Sequence, residues 1–267
     1  MADSSMPNAG LRPTDVNYTK VWLLQHGLGD GPPTPLLVAR LAVRWRVRLL
    51  DSVLQAVLII GAALALAFGG VGSRRPAPVL ALSAFIIALV LARTLLDAWI
   101  RRVDRQAGAA LTQRAAHAVQ PGWRALLGRP YAVLVAGTFA GAFALGASAL
   151  AVSEGTVRYA AVVVLIAVVG VGLGETLQLR ELLARPVVAE DEVSLMADVI
   201  MRIEDAREST MPTVLWSLPM TLLFGSPPGW WNAASLGFVV LGMAAYLTVR
   251  FKTPGPAAVA REVVGAR

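Results

Sequence analysis

Four ionisable side chains lie inside or beside long apolar runs of this sequence: Asp51, Arg93, Asp97 and Glu175. A charged group in apolar surroundings is costly, so it either pairs with another charge or serves a substrate or a proton. Asp51, Asp97 and Glu175 are therefore the candidate catalytic acids. Arg93 and Glu175 are the candidate binding pair, although Arg93 also has Asp97 one helical turn away.

Other kinds of chemistry find little support in the sequence. The chain contains no cysteine, which removes disulfides and thiolate ligands from consideration. Its two histidines, His26 and His117, are far apart, and neither an HExxH nor a GxSxG motif is present. We therefore predict no metal site and no cofactor.

The apolar runs around these residues are typical of membrane spans. A helix needs about 20 apolar residues to cross the hydrocarbon layer, and this chain is 56% hydrophobic but only 15% charged. An α-helix satisfies its own backbone polar groups, so we predict an all-α, polytopic transmembrane helical bundle. The six predicted spans are 51–70, 79–98, 131–153, 159–177, 212–225 and 232–247.

The basic residues predict the orientation of this bundle. Of 24 lysines and arginines, only Arg74, Arg75 and Arg158 fall on one side of the drawn spans, and Arg93 lies within one. The other 20 fall on the opposite side, which the positive-inside rule assigns to the cytoplasm together with both termini. The net charge of +7 thus indicates basic flanks retained on the cytoplasmic side of a cell membrane, in contact with anionic lipid of the inner leaflet, and not nucleic-acid binding.

The fifth span is the shortest and contains Pro219. A re-entrant segment at 212–225 would move the basic C-terminal tail, residues 251–267, to the outside. We therefore predict a short span here, accommodated by local thinning of the bilayer.

Three helices are predicted on the cytoplasmic side, near 36–50, 99–120 and 189–208, after a polar N-terminal segment, residues 1–34. In the first, Arg40, Arg44 and Arg48 recur every four residues and share one face. This pattern indicates a basic helix on the membrane surface, feeding into the first span.

The helix near 189–208 is acidic instead. Its apolar stripe consists of Val193, Met196, Val199, Ile200 and Ile203. Because an anionic leaflet repels acidic groups, this stripe is expected to pack on protein, either the chain's own arginine-rich helices or a partner.

Small residues at four-residue spacing indicate helix packing inside the bundle. Gly137 and Gly141 form one such pair, and Gly170 and Gly174 form another. Glycines let helix backbones approach closely in lipid. We expect packing within the chain here, with a homo-oligomer as the alternative.

The leading functional hypothesis is a non-enzymatic transport permease, or an accessory subunit that works with a cytoplasmic or membrane partner. The layout is similar to the permease half of ABC-2-type exporters, and this likeness of architecture implies an ATPase partner. The alternatives are an enzyme acting on a lipid or isoprenoid near the inner leaflet and a scaffold that presents the acidic helix.

Overall fold

The computed structural model describes residues 12–29, 33–69, 76–110, 122–184, 191–209 and 229–265. Within these ranges every regular element is an α-helix, which confirms the all-α prediction for this part of the chain. In chain order the helices are α1 (Pro13–Gln25), α2 (Pro35–Gly69), α3 (Pro76–Ala110), α4 (Trp123–Leu126), α5 (Gly128–Ala149), α6 (Gly155–Ala184), α7 (Glu192–Ser209), α8 (Gly229–Lys252) and α9 (Pro256–Gly265). The predicted fifth span, 212–225, lies outside the described residues.

Three of these helices are long and apolar enough to cross a membrane: α5, α8 and residues 157–184 of α6. They contain most of the predicted spans 131–153, 159–177 and 232–247. These apolar helices indicate a membrane protein.

Helices α2 and α3 extend beyond the predicted spans. Each is 35 residues long, so the predicted 36–50 surface helix and the 51–70 span form one continuous element. Likewise, the 79–98 span continues through residue 110. No proline or glycine interrupts residues 36–60 or 79–107, which leaves nothing to end either helix between its apolar and charged parts.

The apolar helices pack through small side chains. Helices α5 and α6 form a hairpin, and α8 lies against α5. The core between them is mostly alanine and valine, such as Ala142 and Val164, with Trp231 completely buried. The Trp231 indole nitrogen donates a hydrogen bond to Ser148 Oγ at 3.0 Å, which satisfies its polar group inside an apolar core.

A second core lies at the end of the bundle where α5 begins and α6 and α8 end. We call the elements around it the cap: α1, residues 35–50 of α2, residues 99–110 of α3, α7 and α9. Its buried side chains include Trp22, Leu41 and Ile203, and the last turns of α6 pack against them. The cap therefore brings helices from both ends of the chain to the same end of the bundle.

Helix α9 was not predicted, because residues 251–267 were interpreted only as a tail. It packs on α7, and its Ala260 is fully buried in the cap core. A ten-residue helix with one buried face gives little periodic signal, since its stability comes from tertiary packing.

Candidate functional site

Polar side chains from three helices meet in the bundle close to the cap. On α2 and α3, Arg93 Nε lies 2.8 Å from Asp51 Oδ1, and Gln55 Nε2 donates to Asp51 Oδ2 at 2.7 Å. One turn further along α3, Asp97 accepts a hydrogen bond from the Gln178 amide of α6. The carboxylate of Asp51 is therefore shared between an arginine and an amide.

Helix α6 also contributes Glu175, one turn before Gln178. The Arg93 guanidinium acts on the Glu175 carboxylate by Coulomb attraction. Within the described part of the chain, however, no hydrogen bond or ion pair reaches Glu175. We call this set the bundle cluster: Asp51, Gln55, Arg93, Asp97, Glu175 and Gln178.

All four ionisable residues singled out in the sequence thus lie in one cluster, but their pairing differs from the prediction. Arg93 forms its ion pair with Asp51, whereas Asp97 and Glu175 were expected as its partners. The two glutamines were missed. Each lies three or four residues from an acid, Gln55 after Asp51 and Gln178 after Glu175, and this helical spacing was the available signal.

A larger set of charges lies within the cap, where α2, α3 and α7 meet. Arg40 Nε and Arg44 Nη2 both bind Asp104 of α3, at 2.7 and 2.8 Å. Arg44 Nη2 also lies 2.8 Å from Asp205 Oδ2, and Arg40 forms an ion pair with Asp198. Both arginine side chains are only 2% exposed, so α7 is joined to α2 by buried charge-assisted hydrogen bonds.

The same pattern continues towards the edge of the cap. Arg48 Nη2 is 2.8 Å from Glu204, and its Nε is 2.8 Å from Glu208. Within α7, Arg202 Nε lies 2.8 Å from Asp198 Oδ2. We call the whole set the cap network: Arg40, Arg44, Arg48, Arg202, Asp104, Asp198, Asp205, Glu204 and Glu208.

Neighbouring carboxylates keep two arginines of the cap network charged, Arg44 and Arg48. Burial by itself lowers the pKa of Arg44, but the charges of Asp205 and Asp104 outweigh it and raise that pKa. The pKa of Arg48 is raised in the same way by Glu208 and Glu204. Both guanidinium groups therefore stay charged at every physiological pH.

His26 at the end of α1 joins this edge. Its Nε2 lies 3.1 Å from Glu204 Oε1. Burial tends to lower the pKa of His26, but its hydrogen bonds to Glu204 and to the Trp22 carbonyl raise it overall. Burial tends to raise the pKa of Glu204, yet the hydrogen bonds from His26 and Arg48 lower it overall.

These contacts change the interpretation of the basic face. Arg40, Arg44 and Arg48 were predicted to contact anionic lipid, but Arg40 and Arg44 are buried against carboxylates of the same chain. A guanidinium that is only 2% exposed offers no surface to a headgroup. These arginines of α2 are buried because α7 supplies acids at a spacing that matches them.

The apolar stripe of α7 also packs inside the chain. Val199, Ile200 and Ile203 are buried in the cap core, and Val193 and Met196 lie partly buried beside them. Of the two partners that the sequence left open for this stripe, the structure therefore shows the chain's own helices.

The four glycines expected to pack helices differ in their surroundings. A Cβ on Gly141 would lie 2.5 Å from the Phe238 ring of α8, so this glycine permits a close approach. A Cβ added at Gly137, Gly170 or Gly174 would meet no side chain or neighbouring helix of the described ranges within 4 Å. At two glycines that were not singled out, Gly146 and Gly172, an added Cβ would lie 3.0 Å from Leu165 and 3.1 Å from Phe139, so these two positions are closely packed.

The described residues contain no group of three His, Cys, Asp or Glu side chains arranged to hold a metal ion. Comparisons with family models, with curated proteins and with solved structures found no match to this chain. The bundle cluster and the cap network are therefore the basis for any functional argument.

Proposed function

We propose that this chain is a non-enzymatic membrane protein that works as a transport permease or as an accessory subunit of a transport complex. The observation that carries the proposal is the bundle cluster. Three long helices each contribute two polar groups to one place, and ionisable groups inside membrane helices characteristically line substrate or ion pathways.

The proposed topology has six spans, a cell-membrane location and both termini in the cytoplasm. Support comes from the basic residues at the cap end of the bundle, including Arg129 at the start of α5 and Arg250 at the end of α8. The positive-inside rule assigns such an end to the cytoplasm. On this topology the bundle cluster lies near the inner leaflet, directly below the cap.

The chain's lack of cysteine makes this topology testable. A single cysteine at Ser153, in the exposed turn between α5 and α6, should react with an impermeant thiol reagent in intact cells. A cysteine at the exposed Ala258 of α9 should react only when the cytoplasmic side is opened. The reverse pattern, or reaction of both from one side, would contradict the topology.

The charges of the bundle cluster indicate what it would contact. The cluster contains three acids, Asp51, Asp97 and Glu175, against the single base Arg93, so it carries an excess of negative charge whenever all three acids are ionised. Glu175 has capacity to accept hydrogen bonds from a further group, because a carboxylate offers about four acceptor positions. We therefore propose Glu175 as the residue that a polar or cationic solute contacts.

These contacts bear differently on the other two hypotheses, and only the scaffold hypothesis is weakened by them. The scaffold hypothesis relied on the apolar stripe of α7, which is buried in the cap. The enzyme hypothesis keeps Asp97 and Glu175 as its candidate acids near the inner leaflet, and the experiment below separates it from transport.

The test compares cells that lack the protein with cells complemented by the wild type. We expect loss of the protein to change how a solute is divided between cells and medium, and the lipid composition to stay unchanged. Glu175→Gln and Asp97→Asn should fail to restore the wild-type distribution. Thr176→Ser is the matched control, since Thr176 is exposed and, among the described residues, its hydroxyl bonds only to Gly172 O of its own helix.

Each outcome of this experiment bears on the proposal. Accumulation of an unprocessed lipid precursor would support the enzyme hypothesis and contradict transport. Full restoration of the wild-type distribution by both Glu175→Gln and Asp97→Asn would show that the bundle cluster plays no part in the function.

A further inference from the structure

A group of basic side chains at the cap end of α5 and α8 faces outwards. Arg129, Arg250 and Lys252 are all exposed. Within the described part of the chain none of the three forms an ion pair with an acid. This surface differs from the cap network, where every arginine of α2 meets carboxylates.

The contacts of Arg207 and Tyr131 show that the helix ends that carry these three residues lie next to one another. The Arg207 guanidinium of α7 lies 5.1 Å from the centre of the Tyr131 ring, two residues after Arg129. Its Nη1 also donates to the Pro254 carbonyl at 2.8 Å, two residues after Lys252. Arg250 in turn interacts electrostatically with Tyr131. We call these three exposed residues at the neighbouring helix ends, Arg129, Arg250 and Lys252, the basic patch.

The position of the basic patch corresponds to the level of lipid headgroups. Arg129 is the second residue of the apolar helix Gly128–Ala149, and Lys252 is the last residue of Gly229–Lys252. Two aromatic side chains next to them are also exposed, Trp123 by 44% and Phe251 by 81%. Aromatic and basic residues together at the ends of membrane helices are typical of the interface between hydrocarbon and water.

Charge complementarity identifies the partner. Arginine forks and a lysine ammonium are the side chains that bind phosphate oxygens. We infer that the basic patch binds the headgroup phosphate of an anionic phospholipid of the same leaflet. The contact with anionic lipid thus belongs to this patch rather than to Arg40, Arg44 and Arg48, whose charges are taken up by α7 and α3.

Binding at this place would also affect the cap. Arg207 belongs to α7, next to Glu208 of the cap network, and it touches both the start of α5 and the segment after α8. A lipid bound to both Arg129 and Arg250 would therefore stabilise the packing of the end of α7 on the bundle. This inference rests on the proposed membrane placement but not on transport, so the solute experiment stands or fails separately.

The test uses the full-length protein purified in a non-ionic detergent. Added phosphatidylglycerol should bind and raise the unfolding temperature, whereas phosphatidylcholine should not. Because each basic residue near an anionic surface contributes roughly a fivefold gain in affinity, the triple variant Arg129→Gln, Arg250→Gln, Lys252→Gln should bind phosphatidylglycerol about a hundredfold more weakly.

The control removes the same charge elsewhere on the protein. The triple variant Lys20→Gln, Arg102→Gln, Arg105→Gln changes three exposed basic residues of α1 and α3 and should bind as the wild type does. If both triple variants bound phosphatidylglycerol equally weakly, the effect would depend only on the protein's net charge, and the inference would be overturned. Unchanged binding in the patch variant would overturn it as well.

Two further arms keep the inference falsifiable if the triple variant fails to fold. Arg250→Gln should weaken lipid binding about fivefold, and Arg250→Lys should keep most of it because the charge remains. Inorganic phosphate should neither stabilise the protein nor compete with the lipid. Competition by phosphate would identify a site for a free anion and contradict the lipid assignment.

Discussion

The cap network and the bundle cluster contain similar side chains, but in different surroundings. In the cap network, Arg40 and Arg44 are 2% exposed, and their carboxylate partners come from two other helices. In the bundle cluster, the side chains of Arg93 and Asp51 remain 26% and 22% exposed. There Glu175 has no hydrogen bond or ion pair among the described residues.

This difference suggests a division of roles between the two regions. A buried ion pair often contributes little net stability compared with apolar packing, but the loss of one partner is severe. The cap network therefore fixes which helix α7 packs against. The bundle cluster has a carboxylate available for another group, as a binding site requires.

The largest effect is expected from breaking the cap network at Asp198, which is completely buried between Arg40 and Arg202. Asp198→Ala leaves two buried guanidinium groups short of a carboxylate and should lower the free energy of unfolding by about 3–5 kcal/mol. Denaturant titration in detergent micelles measures this change.

The matched control is Glu208→Gln, at the edge of the same network. The Glu208 side chain is 52% exposed, so the loss of its charge should lower the free energy of unfolding by less than about 1 kcal/mol. Equal losses in the two variants would mean that burial does not distinguish the centre of the network from its edge.

A smaller effect is expected from the ion pair of the bundle cluster. Asp51→Arg and Arg93→Asp should each reduce the amount of folded protein in the membrane, because each puts two like charges where Arg93 Nε and Asp51 Oδ1 lie 2.8 Å apart in the wild type. The double variant should recover most of that loss, with a coupling energy of about 0.5–3 kcal/mol.

The pair predicted from the sequence provides the comparison. The double reversal Arg93→Glu, Glu175→Arg should not recover the loss, because the carboxylate introduced at position 93 then faces the carboxylate of Asp51 as a like charge. Recovery in this variant, and none in the Asp51–Arg93 exchange, would show that the ion pair has been assigned to the wrong acid.

Packing in the bundle can be tested at Gly141. A Cβ there would lie 2.5 Å from the Phe238 ring, so Gly141→Ala should destabilise the protein by about 1–3 kcal/mol through overpacking. Gly137→Ala on the same helix should be neutral or slightly stabilising, since alanine favours a helix by up to about 1 kcal/mol. Thermal unfolding in detergent compares them, and a larger loss at Gly137 would contradict this packing.

The smallest expected effect is the pH dependence of the contact between His26 and Glu204. The pKa of His26 is raised above its ordinary 6.5, so its contribution to stability is complete below pH 6.5 and lost as the pH rises through the folded-state pKa. The pKa of Glu204 is lowered below 4.5, so its contribution is present above pH 4.5 and lost as the pH falls through the folded-state value. The contact is therefore complete between pH 4.5 and 6.5.

His26→Gln should remove the part of this pH dependence that lies above pH 6.5. At pH 6 it should lower the free energy of unfolding by less than about 1 kcal/mol. Unfolding temperatures of the two proteins at pH 6 and pH 9 provide the measurement. If the unfolding temperature of the variant changed between pH 6 and pH 9 as much as that of the wild type, His26 would not be the titrating group.

Helix faces could be predicted from the sequence, but their partners could not. The four-residue spacing placed Arg40, Arg44 and Arg48 on one face correctly, because the helical period fixes it. Their partners remained unknown, since Arg40 and Asp198 are 158 residues apart and no local rule connects them. The apolar stripe of α7 was predicted for the same periodic reason, while its burial within the chain was left as one of two alternatives.

The bundle cluster shows the same limit. Charged residues stand out in apolar runs, so Asp51, Arg93, Asp97 and Glu175 were found. Which of the three acids meets Arg93 depends on how α2, α3 and α6 are rotated against each other, and packing decides that. Asp104 was missed because a single acid among the arginines of α3 is typical of an exposed, solvated helix.

The most direct test asks whether water reaches the bundle cluster at Glu175, as a functional site requires and a closed structural pair does not. The wild type has no cysteine, so a Glu175→Cys variant contains a single thiol. Leu173→Cys is the control, at a side chain of the same helix that is 62% exposed along its apolar surface. In sealed vesicles with the cap side outwards, an impermeant cationic thiol reagent should modify Glu175→Cys much faster than Leu173→Cys. Equal rates, or no reaction at position 175, would contradict the proposal that the bundle cluster is the functional site.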